Sequence, residues 1–187
     1  MAAKSNLKNM ALCLTLVCLF CSTVLAAVYA VTKDPIDRTN ANILKESIGA
    51  VLPEGGELSE AKPLEVGGQP SEYYVSTSSG APVAYAIKSS TVGFGGPLVL
   101  MVGITADGKV YNTSVLAHSE TPGLGAKCTT DEHFMAQFKG FDPSVKMLTV
   151  KKDGGDVDAI TASTITSRAY SSAIRNAVEA FRQIKGE

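Results

Sequence analysis

A cluster of hydroxyl side chains directly precedes the most regular helical pattern in the sequence. Five of the seven residues from 161 to 167 carry a hydroxyl group, namely Thr161, Ser163, Thr164, Thr166 and Ser167. The simplest interpretation is helix capping, in which Thr161 or Ser163 accepts a hydrogen bond from a free N–H group of the first turn. The same N–H groups, together with the positive end of the helix dipole, also stabilise a phosphate. If a threonine at this position were esterified to a phosphate-bearing cofactor, the backbone itself would stabilise the negative charge.

Small side chains beside the hydroxyl cluster are compatible with a bulky bound group. Ala159, Ala162 and Ser163 would leave space next to Thr164. These residue types do not by themselves distinguish a cofactor site from a capped helix, so both interpretations stay open at this point.

The stretch from residue 118 to 125, HSETPGLG, is a second candidate functional segment. Gly123 and Gly125 would let the backbone approach a flat ring closely, which predicts a ligand-binding loop. The alternative is an ordinary turn built from proline and glycine. His118 fits a structural hydrogen-bonding role better than that of a proton donor, and the Cys and His residues after the apolar stretch are too few for two zinc-ligand pairs, being His118, Cys128 and His133 alone. The sequence therefore predicts neither a catalytic group nor a metal site.

A helix beginning at about Thr164 must present the hydroxyl cluster. Apolar residues recur there at intervals of three and four positions, which is the spacing of one helix face. Charged residues, including Arg168, Arg175 and Glu179, occupy the other faces. The apolar positions are Ala169, Tyr170, Ala173, Ile174, Ala177, Val178, Phe181 and Ile184.

Period-two patterns and turn signals upstream of this helix predict an antiparallel sheet. Asp107-Gly108 is a strong hairpin signal between two of its strands. Together with the helices, these strands predict an α+β fold in which an antiparallel sheet is packed by helices. The predicted strands are 73–77, 82–88, 98–105, 109–117 and 145–150.

The segments around this sheet are predicted as short helices and loops. We expect a short helix over residues 131–138 with Thr129 or Thr130 as its cap. Residues 33–47 are polar and are also expected to form a short helix. The prolines and glycines between residues 49 and 70 predict a loop-rich connection rather than a regular element.

The amino-terminal part of the chain predicts a membrane anchor. The 22 residues from Met10 to Val31 contain no charge, and a helix of ~20 apolar residues crosses a bilayer. Lys4 and Lys8 precede this stretch, which predicts a cytoplasmic amino terminus. A cleaved signal peptide is the alternative. The predicted division is 1–9 cytoplasmic amino terminus, 10–32 transmembrane anchor, 33–70 linker and 71–187 extracytoplasmic domain.

Charge and cysteine content exclude some classes of protein. The formal net charge is −1, which gives no electrostatic basis for binding nucleic acid. Three of the four cysteines, Cys13, Cys18 and Cys21, lie in the apolar stretch, where we interpret them as small apolar residues. Cys128 alone belongs to the predicted soluble part, so that part cannot form an internal disulfide. We interpret Cys128 as a packing residue.

The sequence DAITAST, from Asp158 to Thr164, resembles the flavinylation motif of the FMN-binding domain family. The last residue of that motif is a threonine that carries flavin mononucleotide (FMN), and Thr164 falls on this position. Ala162 and Ser163 stand where Gly and Ala are usual. Both are small, so we expect the flavin transferase to accept them.

A second stretch is similar to the core of the same domain. It contains the glycine-rich GFGG at 93–96, the apolar strand that follows, and ETPGLG at 120–125. Order and spacing resemble the G-subunit family of Rnf-type electron transport complexes. They resemble more loosely the C-subunit family of sodium-pumping NADH:quinone reductases, whose chains are usually longer.

The resemblance implies one FMN per chain, joined through a phosphoester to Thr164, with the isoalloxazine ring against the loop 120–125. The cofactor would carry the redox chemistry, and the chain would have no substrate site of its own. The cofactor-binding residues that the resemblance implies are Thr164, Asp158, Thr161, Ser163, Thr166, Glu120, Thr121, Leu124 and Gly125.

The resemblance also implies an electron carrier in the bacterial cytoplasmic membrane, with a single span and its carboxy-terminal domain on the periplasmic side. Its partners would be the other membrane and peripheral subunits of the complex, and a flavin transferase for maturation. The complex would couple electron transfer between ferredoxin and NAD to ion movement. Alternative interpretations are a non-redox anchored binding or scaffold module and a free-standing flavin reductase.

Overall fold

The amino-terminal helix is the longest element of the chain. The computed structural model describes residues 7–186, and its contacts separate one unit ending at Ile43 from a second beginning at Leu44. Helix α1 (Leu7–Val51) contains the predicted anchor, and an 18-residue window within it has a mean hydropathy of 2.5 and no buried residues. By length and composition α1 can cross a membrane. Residues 1–6 of the predicted cytoplasmic amino terminus lie outside the described residues.

The second unit is built on a six-stranded antiparallel sheet. Strands β3, β4, β5 and β6 pair in chain order, while β1 and β2 both pair with β3 at one edge. This sheet confirms the predicted α+β class, and β3 to β6 correspond to the strands predicted over 73–77, 82–88, 98–105 and 109–117. The bounds are β1 (Glu57–Leu58), β2 (Lys62–Val66), β3 (Gln69–Ser78), β4 (Ala81–Val92), β5 (Pro97–Thr105) and β6 (Val110–His118).

Both faces of the sheet are covered, which explains why β5 is apolar along its whole length. On one face, Leu100 and Val102 of β5 belong to the main core with helix α3 (Thr164–Lys185). On the other face, Met101 packs with Ile48 and Val51 from the end of α1. A strand whose alternate side chains both face apolar layers has no polar side.

Helix α3 packs its apolar stripe on the sheet as its periodicity predicts. Tyr170 is fully buried against Phe134 and Phe138, with ring centroids 5.1 and 5.0 Å away. Near the other end of α3, Phe181 meets Tyr85 of β4 edge to face at 5.2 Å. The hydrogen bond from the Thr166 hydroxyl to Glu120 places the first turn of α3 beside the loop that follows β6.

The prediction of a loop-rich connection over residues 49–70 is wrong, because β1, β2 and the start of β3 lie within it. Gly67 and Gly68 form the two-residue turn of the hairpin that joins β2 to β3, with φ values of 59° and 76°. Left-handed φ at both positions is what such hairpin turns require. Pro63 is tolerated because β2 pairs with β3 alone at the sheet edge.

The strand predicted over 145–150 is also wrong. Only Val150 forms an isolated bridge, with Val157. The N–H groups of Val145 and Lys146 donate to the Asp142 carbonyl within a turn, at 3.2 and 3.0 Å, and Met147 N–H donates to the Asp156 carboxylate at 2.7 Å.

The remaining helix predictions are corrected at their ends. Residues 33–47 are not a separate short helix, because α1 continues to Val51. The helix predicted over 131–138 is the shorter α2 (Glu132–Ala136), capped by Asp131. The Asp131 carboxylate accepts from Phe134 N–H at 3.1 Å, while the Thr129 hydroxyl donates to the Ala126 carbonyl.

Candidate functional site

A cavity of about 330 Å³ opens where the loop after β6 meets the start of α3. Its volume lies in the ~300–1,000 Å³ range typical of small-molecule sites. Most of the residues predicted from the sequence contribute to its lining, together with neighbours that the sequence did not indicate. The lining residues are Phe94, Glu120, Thr121, Leu124, Gly125, Ala162, Ser163, Thr164, Ile165 and Thr166.

The first turn of α3 presents Thr164 to this cavity without a side-chain cap. Ser163 occupies the N-cap position, but its side chain makes no capping hydrogen bond within residues 7–186. The capping role predicted for Ser163 is therefore wrong, and Thr161 is exposed and lies away from the cavity lining. The N–H groups of this turn are left available to an anion.

The loop before α3 is held in place by Ser167. Its hydroxyl accepts from Ile160 N–H at 2.9 Å and donates to the Ser163 carbonyl at 3.0 Å. Ser167 is fully buried, so this member of the hydroxyl cluster shapes the loop instead of facing the cavity. The cluster thus contains both cavity residues and a structural residue.

Glu120 is a buried carboxylate at the base of the cavity, 5% exposed. Its Oε2 accepts from the Thr166 hydroxyl at 2.6 Å, and its Oε1 accepts from Gly95 N–H at 3.3 Å. Glu120 N–H in turn donates to Nδ1 of His118 at 3.2 Å, which agrees with the structural role predicted for His118. Glu120 therefore ties together three separate segments of the site.

Replacing Thr166 by valine should destabilise the domain by about 2 kcal/mol. Valine has the same shape but cannot donate, so Glu120 Oε2 would lose a charge-assisted bond in a buried position. Urea denaturation of the purified protein measures the effect. Unfolding at the wild-type midpoint would show that the 2.6 Å bond contributes nothing to stability.

Ala162 adopts a left-handed backbone conformation, with φ of 62°. An L-residue pays ~1–2 kcal/mol for this conformation, whereas glycine does not. Ala162→Gly should therefore raise the free energy of unfolding by about 1 kcal/mol, after the greater entropy of unfolded glycine is subtracted. Thermal unfolding of the two proteins side by side checks the sign; a lower melting temperature for the glycine variant would contradict the strain.

Three apolar side chains form the exposed rim of the cavity. Phe94, Leu124 and Ile165 are 69%, 45% and 48% exposed. Sequence reasoning missed Phe94 and Ile165 as site residues. The available signals were an aromatic residue inside a glycine-rich loop, and an apolar residue that falls off the buried stripe of α3.

Asp158 does not line the cavity. Its carboxylate pairs with the Lys151 ammonium at 2.7 Å, and its N–H donates to Gln137 Oε1 at 2.7 Å. Gln137 also donates to the Asp158 carbonyl at 3.2 Å. This residue therefore anchors the segment that leads into the hydroxyl cluster.

Cys128 lies behind the cavity and is fully buried. Burial, and secondarily the nearby Glu120 carboxylate, raise the pKa of its thiol to about 11. Burial also raises the pKa of the neighbouring Tyr170 to about 12. The thiol therefore stays protonated at neutral pH, which agrees with the predicted packing role.

The cavity suits a flavin phosphate in its chemistry. It offers uncapped helix N–H groups beside the Thr164 hydroxyl and an apolar rim for a flat ring. Residues 7–186 contain no cluster of three or more His, Cys, Asp or Glu side chains arranged to hold a metal ion.

Sequence comparisons identify relatives that span most of the chain. The FMN-binding domain family matches residues 93–179. The G subunit of the proton-translocating ferredoxin:NAD(+) oxidoreductase complex of Clostridium ljungdahlii is 31% identical over 169 residues, covering 89% of this chain and 86% of the relative. The G subunit of the ion-translocating oxidoreductase complex of Shewanella baltica is 37% identical over 179 residues, covering 88% of this chain and 84% of the relative.

The fold also has a counterpart among solved structures. The crystal structure of NqrC from Shewanella oneidensis matches with a TM-score of 0.50 and 24% identity. The match covers 63% of this chain and 62% of NqrC, so it spans less than two thirds of that protein. The likeness supports the fold of the domain and carries no further conclusion.

Proposed function

Because the chain belongs to the G-subunit family of ion-translocating oxidoreductase complexes, and its FMN-binding domain supports an electron-carrying flavoprotein, we propose that it holds one FMN covalently on Thr164. The bond would be a phosphoester between Thr164 Oγ1 and the FMN phosphate. The observation that carries this proposal is the position of Thr164 at the uncapped start of α3, facing the cavity.

The chain's own residues would bind and orient the cofactor. The N–H groups of the first turn of α3 would stabilise the phosphate, and Phe94, Leu124 and Ile165 would cover apolar ring surface. Glu120 joins the loop at Gly95 to Thr166 in the first turn of α3. When bound, FMN supplies one- and two-electron redox chemistry that no side chain provides.

The anchor and the partners are part of the same proposal. We propose that residues 10–32 cross the membrane, that 1–9 stay in the cytoplasm, and that 33–70 lead to an extracytoplasmic FMN-binding domain over 71–187. The Clostridium relative is named as part of a proton-translocating ferredoxin:NAD(+) oxidoreductase. By analogy, this chain would pass electrons between other subunits of a complex that couples such transfer to ion translocation. Its maturation would need a flavin transferase.

Covalent attachment suits a carrier outside the cytoplasm. A dissociable FMN would be lost by dilution there, whereas an ester bond retains it. The competing function is an anchored scaffold module without cofactor, which the substituted motif positions Ala162 and Ser163 make conceivable. The corresponding subunit of a sodium-pumping NADH:quinone reductase is a further alternative within the same domain family.

Fluorescence of the denatured protein separates these functions. The full chain, produced together with a flavin transferase and run on a denaturing gel, should give a band that fluoresces under ultraviolet light. A dark band at normal expression would favour the scaffold. Purification from native membranes should recover the chain with other complex subunits, whereas a free-standing flavin reductase would be recovered alone.

A further inference from the structure

A short charged turn packs beside the first turn of α3, outside the cavity lining. It consists of Lys151, Lys152 and Asp153, and it forms a single 3-10 turn. Lys151 pairs with Asp158 at 2.7 Å. Asp153 forms two hydrogen bonds with the Arg168 guanidinium, at 2.6 and 2.8 Å.

Lys151 and Asp153 each pair with a group of opposite charge, whereas the partner of Lys152 is a neutral hydroxyl. Its Nζ donates to Thr164 Oγ1 at 3.3 Å. Within the part of the chain that the structure describes, no carboxylate lies within ion-pair distance of Lys152. Asp153, the adjacent acidic residue, is turned toward Arg168.

The hydroxyl of Thr164 does not neutralise the positive charge of the Lys152 ammonium group. A phosphodiester at the Thr164 oxygen would carry one negative charge close to this ammonium. Charge-assisted hydrogen bonds to phosphate are roughly twice as strong as neutral ones. The N–H groups of α3 would then contact the same phosphate from the helix side.

We propose that Lys152 is a phosphate-positioning residue that pairs with the phosphodiester between FMN and Thr164. The inference rests on the proposed function, because it needs the ester on Thr164. The flanking pairs explain how Lys152 is held: Lys151–Asp158 fixes one side of the turn to the motif, and Asp153–Arg168 fixes the other side to α3.

The test compares Lys152→Met with Lys152→Arg in the full chain, produced with a flavin transferase. We expect the methionine variant to be flavinylated about fivefold more slowly, as suits an exposed ion pair. Its attached phosphorus should also give a shifted ³¹P resonance. Arginine keeps the charge, so it should restore both the rate and the resonance position.

Lys139→Met is the matched control. Lys139 is exposed, lies just after α2, and makes no ion pair within residues 7–186. This variant loses the same charge and should keep the wild-type rate and resonance. Circular dichroism and melting temperature of the unmodified chains confirm that all variants fold.

The role of Lys152 and the flavin on Thr164 are tested by different outcomes. A flavinylated wild type with a Lys152→Met variant identical in rate and in ³¹P resonance overturns the role of Lys152 alone. Equal defects in Lys152→Met and Lys139→Met overturn it as well, because the effect would be one of net charge. A wild type that receives no flavin overturns the proposed function and the inference together.

Discussion

Thr164→Val should abolish covalent flavin altogether. The substitution keeps the size and shape of the side chain but removes the only atom that can form the ester. Thr164 is the first residue of α3 and is half-buried at the cavity, so folding should be unaffected. The expected result is a folded protein whose denatured band is dark and whose peptide containing position 164 has its unmodified mass.

Thr130→Val is the matched control for this experiment. Thr130 is exposed, lies outside the motif at 158–164 and does not line the cavity. We expect this variant to keep its full flavin content. Flavin retained in Thr164→Val would assign the attachment to a different residue, and flavin lost in Thr130→Val at normal folding would show that the loss is not specific to position 164.

Gly125→Ala should damage both the fold and the site. A Cβ at Gly125 would lie 2.7 Å from Thr166 Oγ1 and 2.9 Å from Glu120 Cβ, and would also collide with Glu120 Oε2. Glu120 cannot move aside freely, because Thr166 and Gly95 N–H hold its carboxylate. Overpacking of this kind costs ~1–3 kcal/mol, and we expect about 3 kcal/mol here with incomplete flavinylation.

Gly49→Ala provides the comparison for Gly125→Ala. Gly49 lies in α1, and an added Cβ there meets nothing within 4 Å. Alanine at this helical position should leave stability unchanged or raise it by up to about 1 kcal/mol. Urea denaturation and flavin fluorescence of both variants give the two readouts. Equal stability of Gly125→Ala and wild type would contradict the close contact at Glu120.

Elements with strong local periodicity could be predicted from the sequence. The apolar stripe of α3 and the uninterrupted apolar run of β5 both appear where they were expected. The hairpin over Gly67 and Gly68 was missed because glycines mark a break and a tight turn equally well. The stretch 145–150 has strand-like residues, but the Asp156 carboxylate takes one of its backbone donors, which no local pattern reveals.

The site was predictable in part, because two of its loops carry recognisable local sequence. Its two motif loops, at 120–125 and around Thr164, can be recognised as sequence and lie together in the structure. Phe94 and Lys152 reach the site only through tertiary packing. Ile165 directly follows Thr164, and its apolar side chain off the buried stripe of α3 was a usable signal.

Mass spectrometry of the chain purified from its native membrane tests the covalent flavin most directly. An intact mass raised by FMN minus water, with the increment mapped to the peptide that contains Thr164, is the predicted result. A chain with its unmodified mass, from cells with an active flavin transferase, would contradict it.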